Sequence, residues 1–476
     1  MSEWFHRPVA AAMIVGAVGV VIGLTLSLGG TLAVAGVAIA LVPWFVFERD
    51  ERLIAASILV AYLVDWFALE LNVLPPQASW LFEGILIVLI LRVLLRGRGG
   101  LGLPFAGWLY LLFVILSAFL ALLTGQSTPA VLLVGLRKYL RLPLLGAVIG
   151  SAAVGGSRRY LWWTLFVAGL VQIPVLAIQF LAYGPGDHLG GTLGYGGSGV
   201  MGLFLSALLC VIIVSPSLVV GFRTSQNLLI ASGWFAGIVA SGAALPVLLT
   251  PAGVGVALIA RHGVSRRAIM YVLVVIMVLV AVAPFVVEPL VQANSMRESN
   301  INSIAGFLAY DQDTTSSGAQ LSRLGQVAAA NSQLVHGGLL AVLFGYGPGA
   351  ASPSALGDAF SGRIYLRAPV AMRVETSLAR GLLEVGYLGM AVGYVVLLRG
   401  LWVFSRVLLG RKAVILDELL LLGAVVCSYL LVCAGYNDAW NQPVSALPFW
   451  IALGAVYNSR RAEAAVDKRV ATLVTT

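Results

Sequence analysis

The run Pro104–Leu123, PFAGWLYLLFVILSAFLALL, holds 20 residues without a single charged side chain. At about 1.5 Å of rise per residue, such a run forms a helix as long as the roughly 30 Å hydrocarbon core of a bilayer. Comparable runs lie on either side of it. Before it come Val9–Leu28, Thr31–Val46, Leu53–Leu71 and Trp80–Leu95. After it come Ala130–Val154, Tyr160–Leu181, Val200–Val220, Asn227–Ala240, Leu245–Ala260, Ile269–Val287, Gly381–Phe404, Val414–Val432 and Ala446–Tyr457. Lipid offers backbone groups no partner, and the alternating period of barrel strands is absent, so these runs read as helices. Hydrophobic residues make up 60% of the chain and charged residues 10%, with mean hydropathy +0.98. Soluble domains carry about 25% charged residues and are excluded. The expected fold is an all-α polytopic membrane protein of about 14 transmembrane helices, within a range of roughly 12–14.

The net charge of +9 does not point to nucleic acid, because the basic residues sit in short loops between the runs. Arg96, Arg98, Arg158, Arg159, Arg223, Arg261, Arg266, Arg267, Arg406, Arg411, Lys412, Arg460 and Arg461 follow the positive-inside distribution. With the N-terminus inside, these loops come out cytoplasmic, and so do both termini. The run after Arg7 exceeds a signal-peptide core and is expected to stay as the first helix. The organisation expected is an N-terminal transmembrane core (1–288), an external loop (289–380), C-terminal transmembrane helices (381–458) and a cytoplasmic tail (459–476). Ser241–Pro246 is the one joint where two short runs could form a single broken or re-entrant element. Cys210, Cys427 and Cys433 all lie in apolar runs, which argues against a disulfide framework or a thiolate metal site.

The hydrophilic stretch from Pro289 to Arg380 breaks the charge rule, since it is external yet carries Arg297, Arg323, Arg363, Arg367, Arg373 and Arg380. Cations held against the topological bias point to an anionic ligand, and a lipid diphosphate fits a site at a membrane surface. A second basic group, Arg137, Lys138 and Arg141, lies near the external end of the sixth run. The spacing allows all three to share one helical face. The plain alternative for this group is snorkelling to headgroups, and for the loop arginines it is salt bridging to Glu298, Asp311, Asp313, Asp358 and Glu375. Glu375 is a candidate general base, weighed equally against an ion pair with Arg373 or Arg380. Asp438 and His336 are secondary candidates for that role. Asp65, Glu70 and Glu83 lie in or near apolar runs, where a carboxylate is a functional candidate such as a proton relay, with pairing to Arg92 or to the Arg137–Lys138–Arg141 group as the plain alternative. His188 and His336 have no second ligand at helical spacing, so no metal is expected.

The layout resembles the O-antigen polymerase and O-antigen ligase superfamily of bacterial membrane glycosyltransferases (GT-C type). The matching parts are the Arg137-Lys138 pair and the long late loop. Next come Arg323 before a helical pattern, then Gly345-Tyr346-Gly347-Pro348-Gly349, and finally Glu375 to Gly389 with Leu378, Leu382, Glu384, Gly386 and Gly389. Motif-level similarity covers about Arg323–Gly389. Members often carry His-Asn where this chain has Glu375-Thr376, and Ser-Arg where it has Ser241-Gly242.

The resemblance implies a multi-pass protein of the bacterial plasma membrane with its active site facing outward. It implies inverting, metal-independent transfer of a glycan from a polyprenyl (undecaprenyl) diphosphate carrier to an acceptor sugar hydroxyl, as in repeat-unit polymerisation of lipopolysaccharide O-antigen. Arg323 and Glu375 would be catalytic. Arg137, Lys138, Arg141, Arg363, Arg367, Arg373 and Arg380 would hold the donor diphosphate. No cofactor is implied. The partners would be the lipid-linked donor, the glycan acceptor, the bilayer and a chain-length regulator. A ligase with a different acceptor is the alternative within the family. From other classes, a transporter or lipid-glycan flippase would use Asp65, and a cell-wall glycan polymerase would share the lipid-diphosphate chemistry.

Overall fold

A computed structural model describes residues 48–96, 100–151, 158–186, 188–194, 196–215, 224–262, 270, 323–368, 374–410, 418–435 and 437–475. Among them every regular element is helical. The bundle comprises α1 (Asp50–Asp65), α2 (Leu81–Leu95), α3 (Phe105–Leu123), α4 (Pro129–Ile149), α5 (Arg158–Tyr183), α6 (Ser198–Val214), α7 (Thr224–Ala240) and α8 (Ala244–His262). Three short helices come next, α9 (Arg323–His336), α10 (Leu339–Phe344) and α11 (Arg363–Arg367). The bundle is completed by α12 (Ser377–Gly410), α13 (Glu418–Cys433) and α14 (Pro443–Thr475).

Polar contacts at the helix ends fix the directions. At one end, Arg92 and Arg96 of α2 bond to Asp50 at the start of α1. Arg158 of α5 bonds to Ser459 of α14 at that same end, and Arg261 of α8 to Ser215 just past α6. At the opposite end, Arg137 of α4 reaches Glu83 and Ser79 around the start of α2. That end also carries α9, α10 and α11. Successive bundle helices therefore reverse direction, and the arginines near the first end match the expected basic loops.

The polarity of the bundle is that of a protein in lipid. Ile87, Leu91 and Leu94 on the outer face of α2 are 57%, 51% and 57% exposed, and Leu112, Ile115 and Phe119 make a similar stripe on α3. A water-exposed surface would not carry such stripes. Inside lie Ser117, Gln172, Gln179, Ser206, Thr250 and Glu384. These find partners across helices: Ser206 Oγ sits 2.7 Å from Thr250 Oγ1 and 2.9 Å from the Tyr429 hydroxyl. The Gln172 and Gln179 side-chain oxygens accept from the backbone N–H groups of Thr192 and Gly191, folding that loop onto α5. The chain is a helical membrane protein.

The expected span count of about 14 is corrected. Ala78–Leu95, Phe105–Leu123, Arg158–Tyr183 and Ser377–Leu408 are long and apolar enough to cross a membrane, with Ser198–Val214, Leu245–Arg261 and Glu418–Cys433 as shorter apolar helices. Two causes explain the difference. The runs Val9–Leu28, Thr31–Val46 and Ile269–Val287 lie outside the described residues, apart from Met270. Other runs give helices of only 16 or 17 residues, as in α1, α7 and α13, and α4 carries three cations. The Ser241–Pro246 joint is a turn between separate helices, made with Gly242 at φ +69°.

Helix α12 is not continuous. Gly386 adopts φ +69° and ψ −175° inside it, a conformation that strongly favours glycine. The break frees two carbonyl oxygens, and the glycine-rich segment after α10 takes them. Tyr346 N–H donates to Leu383 O at 2.7 Å and Gly347 N–H to Glu384 O at 3.0 Å. Ser117 of α3 donates its hydroxyl to the same Glu384 carbonyl and to that of Phe344. A Cβ on Gly386 would lie 2.4 Å from the Leu343 carbonyl carbon. Gly386→Ala should therefore cost about 1–3 kcal/mol, read as a lower thermal midpoint of the detergent-purified chain. Gly84→Ala, in α2 with nothing within 4 Å of the new Cβ, should leave the midpoint level or higher. Equal midpoints would show that the break is not locked.

Candidate functional site

Helix α9 lies across the start of α12. Its Gln326, buried, accepts the backbone N–H of Glu375 at 2.9 Å and of Thr376 at 3.4 Å. Thr376 then caps α12, its hydroxyl accepting from Ala379 N–H at 3.3 Å. Arg323 is the first residue of α9, three residues before Gln326 and so on the same helical face. Further along α9, Asn331 Oδ1 accepts from the Tyr387 hydroxyl and Gln333 O from the Tyr346 hydroxyl. Burial pushes the Tyr346 phenol up, so it remains a neutral donor at ordinary pH.

Between α9, α11 and the α3–α4 turn lies a cavity of about 680 Å³ lined by Gln126, Gln333, Tyr346, Arg363, Arg367 and Val374, among others. Arg363 and Arg367 are one turn apart and exposed. Arg363 donates to Gly125 O at 3.4 Å, and neither guanidinium has a carboxylate partner among the described residues. The lining offers two forked cations together with amide and phenol groups, a donor set suited to an oxyanion with several oxygens.

Beneath the glycine-rich segment lies a second polar group. Arg380 of α12 is ion-paired with Asp438 and donates to Val374 O at 3.0 Å. Asp438 also accepts from Ser377 and Asn441. Glu384, with no exposed surface, accepts from Ala351 N–H at 3.1 Å and from the Ser352 hydroxyl at 2.7 Å. Lys138 Nζ donates to Pro353 O at 3.3 Å.

The structure sorts the sequence candidates into three groups. Arg363 and Arg367 meet at the cavity, Glu375 follows Val374 of its lining, and Arg323 opens α9 without being part of that lining. Arg137, Lys138 and Arg141 do not act together. Arg137 Nε donates to Glu83 Oε1 at 2.7 Å, Arg141 lies 3.7 Å from that same oxygen, and Lys138 turns to Pro353. Of the two readings of Glu83, pairing with the basic group is the one seen, since at the start of α2 it partners two of the three cations. Arg380 belongs to the first turn of α12 rather than to the preceding loop, and its guanidinium serves Asp438. Glu375 is exposed. Asp65, at the end of α1, acts electrostatically on Arg141. His336 is exposed and its Nδ1 sits 2.7 Å from Ser332 O in its own helix. Arg373 lies outside the described residues.

Sequence reasoning singled out Glu384 only as part of a resemblance, and missed Gln326 and Ser352. The signal for Glu384 was present, as it is the one charge between Arg380 and Arg399. Gln326 and Ser352 carry no signal of their own. Gly242, where the resemblance would put an arginine, has the positive φ that favours glycine. No protein-family model matches the sequence, and no curated protein is significantly similar to it.

The Arg380–Asp438 pair is 11% and 13% exposed, so removing one charge strands the other. Asp438→Asn should cost about 3–5 kcal/mol, lowering the thermal midpoint in detergent. Combining it with Arg380→Met should recover much of the loss. A double variant as unstable as the sum of the single ones would show that the two charges are not coupled.

Proposed function

We propose that this chain transfers a glycan from a polyprenyl diphosphate donor to an acceptor sugar hydroxyl at the outer face of a bacterial plasma membrane, joining repeat units of a surface polysaccharide. The observation that carries this reading is the exposed Arg363–Arg367 pair, set on a large cavity whose lining includes Val374, next to the Gln326–Glu375 contact. The resemblance over Arg323–Gly389 supports the same chemistry. The cavity lies at the end of the bundle opposite Arg92, Arg96, Arg158 and Arg261, which the positive-inside rule assigns to the cytoplasm.

In this reading the acceptor hydroxyl attacks the anomeric carbon of the donor sugar from the face opposite the diphosphate. Its proton passes to Glu375 as the new C–O bond forms. The old bond to the diphosphate oxygen breaks, and its electron pair leaves with the diphosphate. Arg363, Arg367 and Arg323 stabilise that growing charge, a task in which pre-oriented cations gain most when water is excluded. The lipid tail stays in the bilayer. A carrier using Asp65 is less well supported, because that carboxylate already acts electrostatically on Arg141.

Two experiments test this. A cysteine at exposed Asp358, with Cys210, Cys427 and Cys433 replaced, should react with an impermeant maleimide from outside the cell. Labelling only from the cytoplasm would invert the orientation. In an assay of glycan transfer from polyprenyl diphosphate, Glu375→Gln should lower turnover by roughly 10²–10⁴-fold with donor binding kept. Arg323→Lys should weaken both binding and turnover, since the forked contact is lost. Near-normal turnover in Glu375→Gln would remove it as the base.

A further inference from the structure

We propose that Glu384 is a positioning residue that sets the place of the Arg363–Arg367 pair over the cavity, a role that rests on reading the cavity as a diphosphate site. Glu384 touches neither arginine, and its influence runs through backbone. One of its oxygens, Oε1, accepts both the Ala351 N–H and the Ser352 hydroxyl. The carbonyls of the residues on either side of Ala351 then hold the start of α11. Ser352 O accepts from Gly362 N–H at 3.0 Å, and Ala350 O accepts from Ile364 N–H at 3.1 Å. A Cβ on Gly362 would lie 2.0 Å from Ala350 O, so the two backbone strips are pressed together with no slack. Between them the chain closes on itself, with Ser354 N–H donating to Ser361 Oγ and that hydroxyl donating to Gly357 O. Lys138 adds an outer tether at Pro353 O.

The anchor itself is fixed. Glu384 lies two residues before the break in α12, and its own carbonyl is held by Gly347 N–H and Ser117. From the carboxylate to the first residues of α11 there are thus two hydrogen-bonded steps. A residue without an oxygen at this position leaves the Ala351 N–H and Ser352 hydroxyl buried with no acceptor, which neither can tolerate in place. The 350–353 strip must shift to find partners, and α11 shifts with it. Glutamine keeps the accepting oxygen and so should keep the geometry, which separates positioning from a need for charge.

The test uses the detergent-purified full chain, with hydrogen exchange followed by mass spectrometry and with calorimetric binding of inorganic diphosphate. In Glu384→Leu, amide exchange across 350–367 should quicken by about tenfold or more while α6 is unchanged. Diphosphate affinity should fall by about tenfold, in the direction of the Arg363→Ala/Arg367→Ala double variant. Glu384→Gln should restore both to within about threefold of the parent. Unchanged exchange at 350–367 in Glu384→Leu overturns the proposal, as does equal loosening of α6, which would mark a general loss of packing. If Glu384→Leu does not fold, Ser352→Ala removes one of the two bonds, and absence of any local change in exchange then overturns it. Diphosphate binding that ignores the arginine double variant sinks the reading of the cavity, while the exchange data still decide whether Glu384 holds α11 in place.

Discussion

The break in α12 at Gly386 and its repair by the glycine-rich segment organise everything at this end of the molecule. A helix that stops being helical inside a membrane protein exposes carbonyl oxygens that lipid cannot satisfy. Here Tyr346 N–H, Gly347 N–H and the Ser117 hydroxyl supply the missing donors. Donors can come that near only because of glycine. Gly345, Gly347 and Gly349 all have positive φ, and a Cβ on Gly135 of α4 would lie 2.1 Å from the Pro348 carbonyl carbon. The segment is clamped between α3, α4 and α12. Residues 350–367, directly C-terminal to it, inherit that position, and so the arginine pair does too.

Membrane solvation explains which charges are paired. Within the bundle an unmatched charge is costly, and these cations have found oxygens: Arg137 and Arg141 share Glu83, Arg380 takes Asp438, Arg92 and Arg96 take Asp50. Aromatic rings help, with the Arg137 guanidinium 4.8 Å from the centre of the Trp80 ring. None of these pairs needs a ligand to explain its presence. Their task is to fix helices against one another, and the two at the cavity-bearing end do so for α2, α4, α12 and the turn before α14.

The bundle is legible in the sequence wherever an apolar run stands alone. Trp80–Leu95, Pro104–Leu123 and Tyr160–Leu181 correspond to α2, α3 and α5 with ends moved by one or two residues, because the length of an apolar run is a local property. The glycine-rich segment also announces close backbone approach. Three things are not legible, and all three depend on residues far apart in sequence. Arg137 reads equally as a ligand-binding cation or as the partner of an intramembrane carboxylate, and only the contact with Glu83, 54 residues away, decides between them. Gly386 sits in an apolar run like any tolerated helix glycine, and only the distant donors at Tyr346 and Gly347 make it a break. The third is the start of α12, where Thr376-Ser377 is a local capping signal but the charge of Arg380 reads as loop until Asp438, 58 residues on, is seen to match it.

The same accounting isolates the cavity. Matched pairs take up cations of the bundle, and a matched guanidinium has little attraction left for an anion. Arg363 and Arg367 lie on a short helix outside the bundle, exposed to water, where a cation needs no counter-charge to be stable. Their freedom from carboxylates among the described residues is therefore allowed by solvent and useful only if an anion arrives. On the proposed reading, an anion tethered in the bilayer by its lipid would reach them at the helix ends without either partner leaving its preferred medium. What separates the two exposed arginines from the paired cations of the described bundle is their place at the cavity, on a short helix outside the bundle.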